Sequence, residues 1–354
     1  MIEKLGDIAS YVNGFAFKPS EWAEEGLPII RIQDLTGTSS NPNYYNKPYD
    51  KKYEINKGDV LISWSASLGV YIWCGEKALL NQHIFKVIFD KKDINKDFFV
   101  YQVSHILKKA SEQAHGATMR HLTRPVFNSL SFWLPERNIQ NKIADTLNLL
   151  SKLIVAKEKQ VKELDKLIKS RFIELFGDPI AQERDGSFTK VGEVCSLKAG
   201  SFVKADDIHS EFNEGLYPCF GGNGCRGYVS DYTHDGNYSI IGRQGALCGN
   251  VKYVEGKFHA TEHAIVVTPL IPIDNYWLFY LLTLLRLNRY ATGAAQPGLT
   301  VNNLESIHIC VPKLIEQEQF SRLAHQCDKS KLAVQKSLEE LETLKNSLMQ
   351  QYFD

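Results

Sequence analysis

The sequence predicts an α+β protein with two tandem mixed α/β domains, each followed by a long helix. Three observations support this fold class: an internal repeat at constant spacing, β-rich runs broken by Gly, Asn and Pro, and two long stretches with helical periodicity. At 354 residues the chain is long enough to form two domains with separate hydrophobic cores.

The second half of the chain repeats the first, with a constant offset of 177 positions from Gly116 to Phe176. A duplicated unit of this size is a domain plus a helix, and two such units are expected to be related by an approximate (pseudo) two-fold axis. The paired positions are Leu122 and Leu299, Thr123 and Thr300, Ser129 and Ser306, Pro135 and Pro312, Gln140 and Gln317, Ala156 and Ala333, Leu164 and Leu341, Ser170 and Ser347, and Phe176 and Phe353.

The elements follow the same order in both halves. Short β-rich runs fill residues 1 to about 135, and a helical pattern follows from Gln140 to Phe176. This helix ends at Gly177-Asp178-Pro179, because Gly accepts a left-handed cap and Pro prevents continuation. The predicted boundaries are 1–138 for the first domain, 139–177 for the first long helix, 178–186 for a linker, 187–314 for the second domain and 315–354 for the second long helix.

Both long helices carry an apolar stripe with heptad spacing, which a globular domain cannot cover along its whole length. We expect the two helices to pack on each other as an antiparallel coiled coil. Homodimerisation of separate chains through the same stripes is the alternative, and the two arrangements are not exclusive. The predicted packing residues are Leu147, Leu150, Ile154, Val161, Leu164, Ile168, Val334, Leu338, Leu341 and Leu348.

Composition limits the possible functions only loosely. Lys plus Arg equals Asp plus Glu at 41 each, so tight nucleic-acid binding would need local basic patches or partner proteins. The seven cysteines contain no C-x-x-C pair, which favours reduced, buried thiols over a zinc site. The chain has no basic-then-apolar leader and no bilayer-length apolar stretch, so we expect a cytoplasmic protein.

The middles of the two repeats also correspond, and they supply candidate recognition residues. In each, a strand leads into a turn of small residues, and a later segment ends in a polar residue, Gln or Glu, and His. Gln82 could pair with adenine and Arg243 with guanine, although a hairpin with purely structural glycines and histidines fits the same pattern. The candidates from these segments are Ser63, Ser65, Ser67, Gln82, His83, Arg243, Gln244 and His263.

A glycine-rich loop, 217–228, lies in the second domain. Its backbone N–H groups could hold a phosphate, with Arg226 adding a charged contact, and a structural Ω-like loop is the alternative. Arg120 and His121 belong to a basic cluster ahead of the first long helix, for which solvated surface is the alternative. Glycine loops and repeat-matched positions complete the candidate set with Gly222, Asn223, Lys18, Arg31, Gln33, Lys204 and Gln296.

No motif of the chain predicts catalysis. The sequence contains no nucleophile elbow, no H-E-x-x-H and no defensible cluster of acids with Lys. The segment Asn41-Pro42-Asn43-Tyr44 partly matches the Asn-Pro-Pro-Tyr/Phe motif of amino-methyltransferases, but it lacks the second proline and is interpreted as a turn. We therefore expect a non-catalytic protein without a metal site.

The order and duplication of these motifs resemble the DNA-specificity (S) subunit of type I restriction-modification systems. The segment from Leu164 to Pro179 is similar to the end of that family's central helix, and the Gly-Ala, Leu-Thr, Pro, Gln run and the glycine loop occur in the expected order. The resemblance implies two target-recognition domains, each contacting one half of a bipartite duplex DNA target, and helices that hold them apart.

The resemblance also implies partners. Two methyltransferase (M) subunits, and restriction (R) subunits where cleavage occurs, would carry S-adenosylmethionine and ATP, and this chain would hold neither cofactor. The glycine loop has no counterpart in the first domain, which predicts an asymmetric target. A tandem-domain scaffold that binds proteins or glycans and oligomerises through its helices is the alternative function.

Overall fold

The computed structural model describes residues 1–38, 41–65, 67–113, 122–181, 188–245, 247–293 and 297–354. The chain divides into two compact units. Unit 1 comprises Met1–Lys157 and Ser337–Asp354, and unit 2 comprises Glu158–Lys336. Each unit therefore takes its globular part from one half of the sequence and helical segments from both halves.

Unit 1 contains short strands, short helices and one long helix that runs on into unit 2. Its β-rich runs form strands because β-branched and aliphatic side chains pack well on a pleated, half-buried surface. The elements in chain order are β1 (Ile2–Lys4), α1 (Leu5–Ile8), β2 (Ser10–Asn13), β3 (Leu27–Ile30), α2 (Ile32–Leu35), β4 (Asn43–Tyr45), β5 (Glu54–Ile55), β6 (Val60–Ser63), β7 (Gly69–Ile72), β8 (Ala78–Leu80), β9 (Ile84–Ile88), α3 (Lys96–Gln113), α4 (Arg124–Ser129), β10 (Ser131–Trp133) and α5 (Arg137–Phe176).

Two four-stranded sheets and a two-stranded ribbon form the β structure described in unit 1. The first sheet has the order β2-β9-β6-β7 and is antiparallel throughout. The second sheet has the order β4-β3-β8-β5, in which β3 and β8 run parallel. Strands β1 and β10 form the ribbon that leads into α5.

Unit 2 repeats this series of elements, except that its described residues contain no counterpart of α2. The elements are β11 (Phe188–Lys190), α6 (Val191–Val194), β12 (Cys195–Ala199), β13 (Tyr217–Gly221), β14 (Gly224–Val229), β15 (His234–Asp235), β16 (Tyr238–Gly242), β17 (Val251–Val254), β18 (Lys257–Ala260), β19 (Ala264–Pro269), α7 (Asn275–Leu284), α8 (Val301–Glu305), β20 (His308–Cys310) and α9 (Leu314–Phe353).

The sheets of unit 2 have the same topology as those of unit 1. The first sheet has the order β12-β19-β16-β17, the second has the order β14-β13-β18-β15, and β11 pairs with β20. Strands β13 and β18 are parallel, as β3 and β8 are. Each strand of unit 2 thus takes the place of the strand ten numbers earlier, and the predicted duplication of a mixed α/β domain is confirmed.

The two long helices pack on each other within both units. In unit 2 the end of α5 buries Phe172 and Phe176 in the core beside Phe320 of α9, and Lys331 of α9 donates to Asp165 of α5 at 2.6 Å. In unit 1 the opposite end of α9 packs Phe353 against the core. The beginning of each helix therefore lies in the unit that holds the end of the other, and the predicted antiparallel arrangement is confirmed.

Burial along the helices is uneven. The predicted packing residues range from buried to half-buried. Leu147, Leu150, Ile168 and Val334 are buried, and Ile154, Val161, Leu164, Leu338, Leu341 and Leu348 are half-buried.

The repeated glutamines attach each long helix to its unit. Gln140 and Gln317 are 1% and 0% exposed. The amide of Gln140 donates to the carbonyl oxygen of Pro135 at 2.8 Å and accepts from the backbone N–H of Asn95 at 2.8 Å. Gln317 makes the same two bonds, to Pro312 at 2.8 Å and from Asp274 at 2.9 Å. A buried amide with both ends bonded explains why this position recurs in the repeat.

Two further features concern the described residues as a whole. None of their helices combines the length and the hydropathy that a bilayer crossing requires. No group of three or more His, Cys, Asp or Glu among them has a geometry that could hold a metal ion.

Candidate functional site

The same backbone junction occurs at one end of the first sheet in both units. In unit 1 the backbone N–H of Trp64 donates to the carbonyl oxygen of His83 at 3.3 Å, and the N–H of Leu122 donates to that of Trp64 at 3.0 Å. In unit 2 the N–H of Arg243 donates to His263 at 2.9 Å, and that of Leu299 donates to Arg243 at 2.9 Å. The repeated segments therefore meet at equivalent places.

The second sheet adds another wall to each junction. The N–H of Asn81 donates to the carbonyl oxygen of Ile30 at 3.1 Å, and that of Thr261 donates to Phe220 at 2.9 Å. The ends of β3 and β13 thus lie beside the ends of β6 and β16. Each unit presents side chains from several loops on one rigid backbone scaffold.

In unit 2 this junction forms an open cleft of about 340 Å³. Close backbone approach requires glycine here: a Cβ on Gly242 would lie 2.3 Å from the carbonyl oxygen of Gly222. A wall without side chains lets a ligand approach the backbone closely. The cleft is lined by Gly221, Gly222, Asn223, Arg226, Gln244, Gly245 and His263.

Five of the predicted residues of unit 2 meet in this cleft. The side chains of Asn223, Arg226 and Gln244 are exposed, and His263 lies half-buried with its Nε2 atom 3.2 Å from Oε1 of Glu262. Gly222 is the fifth. Amides, a guanidinium and an imidazole at one place form a set of hydrogen-bonding groups suited to recognition of a polar ligand.

The repeat loop that precedes α8 supports the cleft. Gln244 pairs with Gly298 in an isolated β-bridge, and the N–H of Gly245 donates to the carbonyl oxygen of Pro297 at 3.1 Å. Arg243 is half-buried, and both of its backbone groups are used in the junction. Gly221 and Gly245 belong to the predicted glycine-rich loop and to the matched middle segment, but they are not among the predicted recognition residues, because their contribution depends on backbone approach between distant segments.

Below the cleft, Cys219 is buried on β13. Burial raises the pKa of the Cys219 thiol, and the positive charge of Arg226 offsets part of this rise. Lys204 is exposed and lines a second cleft of unit 2, together with Asp206, Asp207 and Asp231. The structure therefore separates Lys204 from the cleft that contains Arg226.

In unit 1 the three predicted serines form the turn after β6. Ser63 is buried and its hydroxyl donates to the carbonyl oxygen of Ser67. Ser65 is also buried, and its carbonyl oxygen accepts from the exposed Ser67 at 2.7 Å. Gln82 and His83 are half-buried, and His83 contacts the ring of Trp64 at a centroid distance of 5.3 Å.

Arg31 lies at the end of β3, where it is half-buried. Its Nε atom lies 3.2 Å from Oδ2 of Asp34, and its guanidinium lies 5.7 Å from the ring of Trp22. Gln33 and Lys18 are exposed. Arg120, His121 and Gln296 lie outside the described residues, so their predicted roles stay predictions.

The model of the type I restriction modification DNA specificity domain matches this chain twice, over residues 1–166 and 184–343. The chain is 44% identical over 147 residues to the type I restriction enzyme EcoprrI specificity subunit of Escherichia coli. It is 29% identical over 168 residues to the EcoBI specificity subunit of the same species. These matches cover 41% and 47% of this chain but only 37% and 35% of the relatives.

Solved structures share the fold at low sequence identity. The S subunit of a type I restriction-modification system from M. genitalium superposes with a TM-score of 0.68 at 17% identity, covering 100% of this chain and 96% of that one. A chain from a study of complex assembly and conformational transition in the type I R-M system gives 0.59 at 16% identity, covering 100% and 97%. With two matched domains that together span most of its length, the chain belongs to the family of type I restriction-modification DNA specificity domains.

Proposed function

We propose that this chain is the specificity subunit of a type I restriction-modification complex and that it reads a bipartite, asymmetric DNA sequence. One junction in each unit would contact one half of the target. The supporting observation is that both units build the same backbone junction but carry different side chains on it, with serines, Gln82 and His83 in one and Arg226, Gln244 and His263 in the other. Equal scaffolds with unequal side chains favour two different half-sites.

The chemistry of the junctions suits base recognition. Asn and Gln amides pair with adenine, and a guanidinium offers two parallel N–H groups to guanine. The glycine-lined wall of unit 2 allows a base edge to come close to the backbone. Because the formal net charge is zero, phosphate neutralisation would come from local basic patches or from partner subunits.

We assign catalysis to those partners. Two methyltransferase subunits would bind S-adenosylmethionine, and restriction subunits, where present, would use ATP. The long helices would recruit the methyltransferase subunits and set the distance between the two half-sites. Family membership supports this division of roles, and the experiment below tests it.

The test is to co-express the chain with its methyltransferase subunit and to map the methylated bases in host DNA by single-molecule sequencing. We expect a split motif, with two defined halves around a spacer of fixed length. Exchange of residues 188–313 for those of a related chain should alter one half only. The methyltransferase subunit expressed alone is the control and should give no split motif.

Other results would contradict the proposal. A purified complex that methylates a continuous, palindromic motif would exclude asymmetric bipartite reading. Absence of both a complex and new methylation would favour a tandem-domain scaffold for protein or glycan ligands. Affinity for duplex DNA should also fall steeply with salt concentration, because binding to phosphates releases counterions.

A further inference from the structure

Arg226 is the extra residue of a β-bulge in the wall of the unit 2 cleft. Cys219 of β13 pairs with Gly227 of β14, and the next residue, Phe220, pairs with Cys225, so Arg226 has no pairing partner. Bulges redirect side chains and are frequent beside functional sites. In unit 1 the pairing of β3 with β4 ends at Ile29 with Asn43, the equivalent of Cys219 with Gly227, so none of its recorded pairs corresponds to the bulge.

Gly221 provides the space that the arginine occupies. A Cβ at Gly221 would lie 2.7 Å from Cδ and 3.3 Å from Cγ of Arg226, and its next neighbour, Oγ1 of Thr261, would lie at an ordinary 3.5 Å. The stem of Arg226 therefore crosses directly over Gly221. A methyl group there would displace the arginine while leaving the surrounding backbone unobstructed.

The guanidinium of Arg226 is not neutralised by the described residues, which give it neither an ion pair nor a hydrogen bond. The described residues that line its cleft are, besides Arg226 itself, glycines, two amides and an imidazole, and the carboxylate of Glu262 lies beside them, paired with His263 at 3.2 Å. An arginine in such surroundings retains its full donor capacity for a ligand. Lys204, in the other cleft of the unit, has three aspartates around it.

The equivalent place in unit 1 is occupied differently. Ile30 pairs with Leu80 in unit 1 as Phe220 pairs with Ala260 in unit 2, so the next residues, Arg31 and Gly221, are equivalent in the two repeats. Arg31 is paired with Asp34 at 3.2 Å and half-buried. Unit 1 therefore has a neutralised arginine at this position, whereas unit 2 has a glycine there and the side chain of Arg226 crosses over it.

We propose that Arg226 reads a guanine in the half-site contacted by unit 2 and that Gly221 is the positioning residue that lets its side chain lie across β13. This assignment rests on the proposed function. A guanidinium matches the O6 and N7 acceptors of guanine with two N–H groups. The amides of Asn223 and Gln244 in the same cleft are also groups that recognise base edges, which favours a base over a phosphate as the partner of Arg226.

The experiment maps the methylated motif for complexes that contain wild-type chain, Arg226→Ala, Gly221→Ala or Lys204→Ala. Arg226→Ala should relax one guanine position in the unit 2 half to any base, with roughly tenfold to hundredfold loss of discrimination at that position only. Gly221→Ala should relax the same position less completely. Lys204→Ala is the charge-matched control and should leave that position unchanged. Thermal unfolding identifies any variant that fails to fold.

Each contrary outcome has a separate meaning. A uniform loss of affinity for all sequences in Arg226→Ala, with a salt slope smaller by about one, would overturn the assignment in favour of a phosphate contact. An unchanged motif in a folded variant would also overturn it. If the wild-type complex gives no split motif, the proposed function fails first, whereas a split motif without a guanine in the unit 2 half refutes Arg226 alone.

Discussion

At the scale of single residues, a half-buried histidine of unit 2 stacks on an aromatic ring. His234 stacks on Phe258 with a centroid distance of 5.2 Å and an interplanar angle of 14°. Burial lowers the pKa of His234 below its usual value of 6.5, and the neighbouring His259 lowers it further. The folded state therefore favours the neutral ring more than the unfolded chain does.

This shift predicts a pH dependence of stability. Because the folded pKa is depressed, the contribution of His234 should be complete above pH 6.5 and should be lost as the pH falls below 6.5 and through the lower folded pKa. Urea unfolding between about pH 5 and pH 8 measures it. His234→Gln should flatten the profile below pH 6.5, and His308→Gln on an exposed position is the substitution control. An unchanged profile in His234→Gln would contradict the prediction.

Most of the residues that line the cleft could be predicted from the sequence, but their ion pairing and their place in the strand pairing could not. The glycine loop identified Asn223 and Arg226, because glycines in a turn are visible in the chain itself. The sequence did not predict that Arg31 forms an ion pair with Asp34, or that Arg226 lies in a bulge with its side chain over Gly221. Those differences depend on strand pairing between distant segments, which short-range spacing does not determine.

At the scale of elements, each long helix is fastened at its first turn. Gln317 joins the N-terminal end of α9 to the loop before α7, where Asp274 also caps α7 by accepting from Tyr276 and Trp277. The two chain segments are therefore connected through one buried amide. Gln140 makes the equivalent connection for α5.

Removing this amide should destabilise unit 2. In Gln317→Met the N–H of Asp274 and the carbonyl oxygen of Pro312 would lose their partners, which should cost about 2 to 4 kcal/mol of unfolding free energy. Chemical denaturation measures the loss. Gln326→Met, on an exposed position of the same helix, is the matched control and should change stability by less than about 0.5 kcal/mol. A loss as small as in the control would show that other contacts hold the helix.

The helix pattern was more predictable than its surroundings. Heptad spacing predicted the stripe that includes Leu147, Leu150 and Ile168, because the period of an apolar face is a local property of the sequence. It did not predict that Phe172 and Phe176 enter the core of unit 2. Which core these phenylalanines enter depends on where the chain after the linker folds back on the helix. The periodicity of the helix contains no information about that path.

At the scale of the whole molecule, the long helices and the proposed recognition residues lie in different parts of each repeat. The length of the helices can therefore be changed without changing the recognition residues. Insertion of one heptad into each helix at the boundaries of the units, after Lys157 and after Lys336, keeps the apolar stripes in phase. It adds about 10 Å of helix.

We expect the variant with both insertions to methylate a motif with unchanged halves and a spacer longer by up to about three base pairs, since duplex DNA rises about 3.4 Å per base pair. Motif mapping in the co-expressed complex measures this. Insertion into one helix alone should abolish activity, because the two helices would then differ in length between the units and could not both reach the cores that they complete. An unchanged spacer in the double insertion would mean that the helices do not set the distance between half-sites.

The exchange of helix ends also affects how the protein is made. The core of unit 1 is completed by Leu348, Met349, Tyr352 and Phe353, whereas the rest of that unit precedes residue 158. At ordinary rates of translation, the ribosome needs on the order of ten to forty seconds to pass from one segment to the other. We therefore expect the nascent first half to expose, during that interval, the apolar surface that the last turns of the chain later cover, and to be open to chaperone binding until then.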